Sequence, residues 1–231
     1  MSNIILKHAH ANVYKNVTHA FWGIDVGIRN IGMALLGRVE TDLRPRLIYL
    51  GLLDLGTDAV HDDEVLFNNI VEYIGAIYDH VEGSLGSHHG PFYRAMAIET
   101  QQKQTEEARM IMVAGAIKAV FTMNSHRVNP GLPFHILNQS PSCITCLEMQ
   151  RYIDLPGPSA VTKRAEKKEK ANEMMDHWLR TTEEGGALYE VNTQLRVKRK
   201  NSDVFLKGGD RRDHVADALF HAMYALKNSL Y

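Results

Sequence analysis

The stretch Phe21-Trp22-Gly23-Ile24-Asp25-Val26-Gly27, then Ile28-Arg29-Asn30, then Ile31-Gly32-Met33-Ala34-Leu35-Leu36-Gly37 decides the fold. Two apolar runs of strand composition flank a tight turn bearing Gly and Asn, the pattern of a β-hairpin. Arg46 to Leu55 supplies a third strand, so the order predicts a three-stranded antiparallel meander at the start of the ordered chain. One residue disturbs the pattern. Asp25 is a carboxylate inside an apolar strand, where a charge is expensive unless it is paired or coordinates a metal. Either it ends the strand and starts the turn, which needs no function, or it is a ligand.

Working outward, Val65, Leu66, Ile70, Ile74, Ile77 and Val81 recur at helical spacing behind Asp62, Asp63 and Glu64, which predicts a helix over 63–81 with an acidic N-terminus. Ser84 to Gly90 reads as a loop, and Arg94 to Thr100 as a short buried strand whose apolar run Ala95-Met96-Ala97-Ile98 ends in Glu99. A long helix is expected over 106–123, with Gly115 and Ala116 small enough to let another element approach. Phe134 to Leu137 is a fifth strand, 142–152 a short helix, and the Pro- and Gly-bearing stretch 154–159 a linker or loop. Helical spacing returns at Ala171, Met174, Met175, Trp178 and Leu179, and a last helix is expected from Asp210 to Leu226. Residues 1–19 lack periodicity and read as a tail or peripheral element, leaving 20–231 as one domain, a size that 231 residues suit.

Composition narrows the class. With 45% hydrophobic and 23% charged residues the chain is of ordinary globular make-up, not disordered or collagen-like. Cys143 and Cys146 are the two cysteines, so no disulfide framework is expected and a reducing compartment is. Their C-x-x-C spacing lacks the second pair of ligands that structural zinc wants, so they read as incidental half-buried thiols. No run of 18 apolar residues and no secretory leader is recognisable. The formal net charge of −1, from 26 basic and 27 acidic residues, is an average over opposed features: residues 163–212 hold 13 basic side chains against 9 acidic.

Three places carry carboxylates where packing would prefer apolar residues. Asp25 and Glu99 each sit in or at the end of an apolar strand. In the last helix Asp210, Asp213, His214 and Asp217 fall at i, i+3, i+4 and i+7 on one face. Asp210 and Asp213 suit a helix start. Asp217, a full turn further in and flanked by Ala216 and Ala218, has no such excuse. Strand-borne Asp and Glu, with a helical Asp or His three residues before an Asp, form an oxygen-rich set of the kind Mg2+ or Mn2+ takes. Two such ions bridging a phosphate activate a water and stabilise a leaving oxygen. The basic run Lys163-Arg164-Ala165-Glu166-Lys167-Lys168-Glu169-Lys170 and Arg196 to Lys200 would bring cations to a nucleic-acid backbone, although a solvated helix face and a loop would read the same way.

With these residues assembled, the sequence resembles the RuvC-like Holliday junction resolvases of the ribonuclease H-like superfamily, nearest to the branch of poxviruses, other large DNA viruses and fungal mitochondria. The likeness rests on Ile24-Asp25-Val26-Gly27-Ile28-Arg29-Asn30-Ile31-Gly32, Ile98-Glu99-Thr100-Gln101, the Lys-rich helix start at Lys167 and Lys168, and Arg211-Arg212-Asp213-His214-Val215-Ala216-Asp217-Ala218-Leu219, in that order over about residues 21–228. It implies an α/β fold with a mixed five-stranded sheet, antiparallel strands 1–3 followed by parallel strands 4 and 5, flanked by helices. It implies a homodimer that cuts four-way junction DNA by paired symmetric nicks with two Mg2+ ions, or Mn2+ in their place. A viral protein in the host cell is the setting it favours, ahead of a mitochondrial one, with no membrane.

By motif position Asp25, Glu99 and Asp217 look like catalytic, metal-binding carboxylates. This branch usually has two consecutive acids where the chain has Asp213 and then His214. Some bacterial relatives carry His at the position of His214, which therefore looks like the ligand or base, with Asp213 a neighbouring candidate. Lys167 and Lys168 look equally suited to steady the scissile phosphate. Arg29, Asn30, Gln101, Lys163, Arg164, Lys167, Lys168, Lys170, Arg211 and Arg212 are the expected DNA contacts. Another nuclease or strand transferase of this fold would share the carboxylates, an actin-like ATPase would need a second Gly-rich D-x-G hairpin, and a non-catalytic nucleic-acid binder would need no acids at all.

Overall fold

The computed structural model describes residues 17–39, 42–85, 93–99, 108–128, 130–139, 169, 171–175, 177–178 and 212–229. Five strands make one sheet in the order β3-β2-β1-β4-β5: β1 (Val17–Asp25), β2 (Asn30–Val39), β3 (Asp42–Asp54), β4 (Tyr93–Glu99) and β5 (Phe134–Gln139). β1, β2 and β3 pair antiparallel, while β1 with β4 and β4 with β5 pair parallel. This is the mixed sheet that the resemblance implied. Among the described residues three longer helices accompany it: α1 (Asp63–Leu85), α2 (Ala108–Val128) and α3 (Arg212–Asn228).

β1 is central and covered on both faces, which is why its sequence runs apolar without alternation; Ala20, Phe21, Trp22 and Ile24 are all fully buried. β1 begins at Val17, ahead of the run from Phe21 that the sequence predicts and within the stretch 1–19 read as a tail or peripheral element. β3 begins at Asp42, not Arg46, and so contains Pro45. A proline is tolerated there because β3 is an edge strand and its pairing with β2 is irregular between Gly37 and Val39.

On one face Trp22 stacks on Tyr78 of α1, 6.1 Å between ring centres, and meets Phe121 of α2 edge-on at 5.2 Å. Asp62 caps α1, its Oδ1 accepting from the amides of Glu64 at 2.9 Å and Val65 at 3.2 Å. α1 continues past the expected end at Val81 to Leu85, which lies four residues on and extends the same buried stripe, so Ser84 is helical and not in the expected loop. α2 likewise runs from Ala108 to Val128, beyond the expected Met123, and stops two residues before Pro130. Residues 171–175 and 177–178 are helical, and Ala171, Met174, Met175 and Trp178 are buried as their spacing predicted. The proposed helix at 142–152, the loop after Leu85, Cys143, Cys146 and Asp210 lie outside the described residues.

α3 covers the opposite face with its backbone against the strands. A Cβ on Gly23 would lie 2.0 Å from the carbonyl oxygen of Ala218 and 2.1 Å from the amide nitrogen of Ala222. A Cβ on Gly32 would lie 2.0 Å from the carbonyl oxygen of His214. Only glycine admits such approaches. The Ala residues of α3, fully buried at 216, 218, 222 and 225, complete the fit from the helix side.

Candidate active site

Pleating and register build the site. On β1 the Asp25 side chain lies on the face to which a Cβ at Gly23 would point, and Asp25 pairs with Gly32 of β2. Asp25 and Glu99 are the last residues of parallel neighbours, one step beyond the Ile24–Ile98 pair, so they stand side by side at the carboxyl ends of β1 and β4 on the α3 face. The carboxyl ends of parallel strands are where open α/β sheets place ligands. α3 enters above them, and its close packing on Gly32 sets His214 over β2 and next to Asp25.

His214 donates from Nδ1 to Oδ2 of Asp25, joining residues 189 apart in the chain. Asp25 is 7% exposed and Asp213 5%, whereas Glu99, His214 and Asp217 are half-buried. Burial raises the Asp217 carboxyl most, the charges of Asp25, Asp213 and Glu99 raise it in the same sense and His214 opposes them, so that it stands at about 8. Asp217 thus feels every acidic group of the expected set, which shows that these residues converge. The structure brings together Asp25, Glu99, Asp213, His214 and Asp217.

Whether they suit a divalent cation is a question of donor chemistry. Carboxylates crowded until one retains its proton near neutrality are what a hard cation would relieve. As placed, however, no group of three or more His, Cys, Asp or Glu side chains among the described residues is arranged to hold a metal ion. The Asp25–His214 pair explains part of this, since each engages the other where a ligand would face an ion. The residues fit a cation in kind, and in this arrangement the His214 imidazole meets the Asp25 carboxylate.

Of the expected DNA contacts, Arg29 lies in the β1–β2 turn with its Nε 3.4 Å from Asp54 Oδ1. Asn30 is the first residue of β2, and its Oδ1 is enclosed with no hydrogen-bond partner among the described residues. Arg212 is the first residue of α3. Gln101, Lys163, Arg164, Lys167, Lys168, Lys170 and Arg211 lie outside the described residues. Sequence reasoning missed Gly23 and Gly32, which set the height of α3 over the site. The available signal was glycine at same-face positions of two neighbouring strands, opposite a helix rich in Ala. It also missed Asp54, whose partner is visible only once β2 and β3 are in register.

Compared with solved structures, the chain is similar to T. thermophilus RuvC in complex with a Holliday junction substrate, at 16% identity over 92% of this chain and 94% of that one, with a TM-score of 0.46. It is similar to fowlpox virus resolvase in complex with substrate Holliday junction DNA, at 12% identity over 92% and 99%, TM-score 0.43. It is also similar to the yeast mitochondrial Holliday junction resolvase, at 14% identity over 92% and 78%, TM-score 0.45. No protein-family model and no curated protein sequence matches the chain.

Proposed function

We propose that the chain is a Holliday junction resolvase, an endonuclease that hydrolyses phosphodiesters of four-way junction DNA. The observation that carries this reading is the convergence of Asp25, Glu99, Asp213, His214 and Asp217 at the carboxyl ends of β1 and β4, where burial and then the neighbouring carboxylates raise the Asp217 carboxyl to about 8. A structural role does not account for so many acids in one place.

Asp25, Glu99 and Asp217, with His214 or Asp213, would hold Mg2+, or Mn2+ in its place, most naturally as two ions. Such ions supply Lewis-acid polarisation of the phosphate and acidify a water. The chain's own residues do the rest. Strand ends fix Asp25 and Glu99, so two of the carboxylates have little freedom to reorganise. His214 steadies Asp25 through Nδ1–H and Oδ2, and its imidazole would serve as ligand or base. Asp217, raised by burial and by the neighbouring carboxylates, would serve as a ligand in its ionised form, which a cation's charge would favour.

Paired nicks need two such sites related by a two-fold axis, hence a homodimer. Support comes from α2, where Ala108, Ile111, Met112, Gly115, Ala119 and Met123 recur three and four residues apart and are all exposed. Met123 is 70% exposed, a large apolar side chain left to a partner. Among the described residues no helix is long and apolar enough to cross a membrane. The proposed setting is inside the cell where recombining DNA is found, with a virus-infected host cell the first choice.

The test compares a mobile junction, a fixed junction, a linear duplex and an RNA–DNA hybrid, each with Mg2+. Preferential, symmetric cutting of the junctions is expected. Equal cutting of duplex or hybrid would overturn the resolvase reading in favour of another nuclease of this fold. A species of one 26.1 kDa chain on the junction in sedimentation would overturn the paired mechanism.

A further inference from the structure

The turn that follows Asp25 is fastened to the end of β3, and Arg29 does the fastening. The carbonyl of Arg29 accepts from the amide of Leu55 at 2.7 Å, while its Nε donates to Oδ1 of Asp54 at 3.4 Å. The same Asp54 oxygen accepts from the amide of Gly56 at 3.0 Å, a residue at φ +92° where a side chain would be strained. The carbonyl of Leu55 in turn accepts from Asn69 Nδ2 of α1 at 2.8 Å. Within the turn, a Cβ on Gly27 would lie 2.3 Å from the carbonyl oxygen of Asn30, so the loop is closed tightly on itself. A continuous set of bonds therefore runs from α1 through the end of β3 to the residues directly after Asp25.

Asp25 is the last residue of β1. The ladder holds Asp25 through its pair with Gly32, His214 meets its carboxylate, and the turn fixes the chain that leaves it. We infer that Arg29, together with Asp54, is a positioning residue: it holds the turn that sets the direction of the Asp25 carboxylate, instead of gripping a DNA phosphate. The Arg29 and Asp54 side chains are 34% and 16% exposed. A pair so placed adds little to stability. Its loss should therefore appear in the rate and leave the fold intact, because a displacement near 1 Å in a catalytic group costs up to about a hundredfold.

Asp54→Asn removes the charge and keeps an oxygen for Gly56; Arg29→Met keeps the apolar stem. Because the role rests on the junction-cleaving reading, wild type is measured first with Mg2+. Each variant is expected to lower kcat on a four-way junction by roughly ten- to a hundredfold, with KM, junction Kd and unfolding midpoint unchanged. The double variant should be no slower than the slower single one. The slope of log Kd against log salt should stay at the wild-type value, and amide exchange at Val26 to Arg29 should quicken in both variants. The opposite pattern overturns the inference: Arg29→Met weakens binding and reduces the salt slope by about 0.9, one phosphate contact, while Asp54→Asn, with its guanidinium released, cuts normally. If wild type binds junctions and cuts nothing, the resolvase reading fails, while the salt slope and amide exchange still decide the role of Arg29.

Discussion

The two faces of the sheet are held in opposite ways. On the α1 and α2 face the contact is made by large rings, with Trp22, Tyr78, Phe121 and Phe134 stacked or edge-on at 5.2–6.2 Å between centres. On the α3 face backbone meets backbone across Gly23 and Gly32. Rings spread their attraction over many weak contacts, so a small shift costs each one little. A carbonyl laid on a glycine Cα allows no shift inward. The ring face can thus supply stability with some tolerance, while the glycine face fixes where His214 and Asp217 stand relative to Asp25 and Glu99. If that division holds, substitutions on the two faces should fail differently.

The largest effect belongs to the chemistry itself. Asp25→Asn keeps shape and removes charge, so folding and junction binding should persist while cleavage falls by about a thousandfold or more. Unchanged cleavage in a gel assay would remove Asp25 from the site. Next comes the glycine contact. Gly23→Ala must drive α3 away from β1, with a cost of roughly 1–3 kcal/mol in unfolding free energy and a loss of about a hundredfold in cleavage through displaced side chains. On the ring face Phe121→Leu should cost a similar roughly 1–3 kcal/mol in denaturant melts, yet cut junctions at nearly the wild-type rate at temperatures where it stays folded. Equal activity losses for Gly23→Ala and Phe121→Leu, at matched stability, would erase the distinction between the faces.

What the sequence could say of this depended on distance along the chain. The hairpin around Asp25, the Glu99 strand and the His214–Asp217 helix face are local patterns, and each is written in residues a few positions apart. The sheet order follows from them with the resemblance, and the charges of Asp25, Glu99, Asp213 and His214 all act on Asp217. Pro45 inside β3 was illegible because a proline ordinarily ends a strand, and only the edge position of β3 makes it acceptable. The seating of α3 was illegible for a different reason. Glycine in a strand reads as weakness until the helix that needs its bare Cα is known, and here that helix lies nearly two hundred residues away. Arg29 read as a phosphate contact because its partner, Asp54, is brought close only by the β2–β3 register.

The smallest effects lie within α3, where two groups are displaced in opposite senses. Burial lowers His221 from 6.5 to about 3, and burial with neighbouring charge raises Asp217 from 3.8 to about 8. The raised Asp217 favours the folded state fully below pH 3.8, and that contribution is lost as pH rises toward 8. The depressed His221 costs nothing above pH 6.5, and stability is lost as pH falls from there toward 3. Between 3.8 and 6.5 the two slopes oppose; outside that window each acts alone, at no more than about 1.4 kcal/mol per pH unit. The metal-free melting temperature should therefore decline from pH 6.5 to 8 through Asp217, and decline below pH 3.8 through His221. Asp217→Asn should flatten the alkaline limb and leave the acidic one, and His221→Gln the reverse. Mg2+ should raise the melting temperature more at pH 8 than at pH 5, since ligation requires the carboxylate without its proton. An alkaline limb that survives Asp217→Asn would show that the crowding of charge lies elsewhere, and with it the reason for treating the α3 face as the functional one.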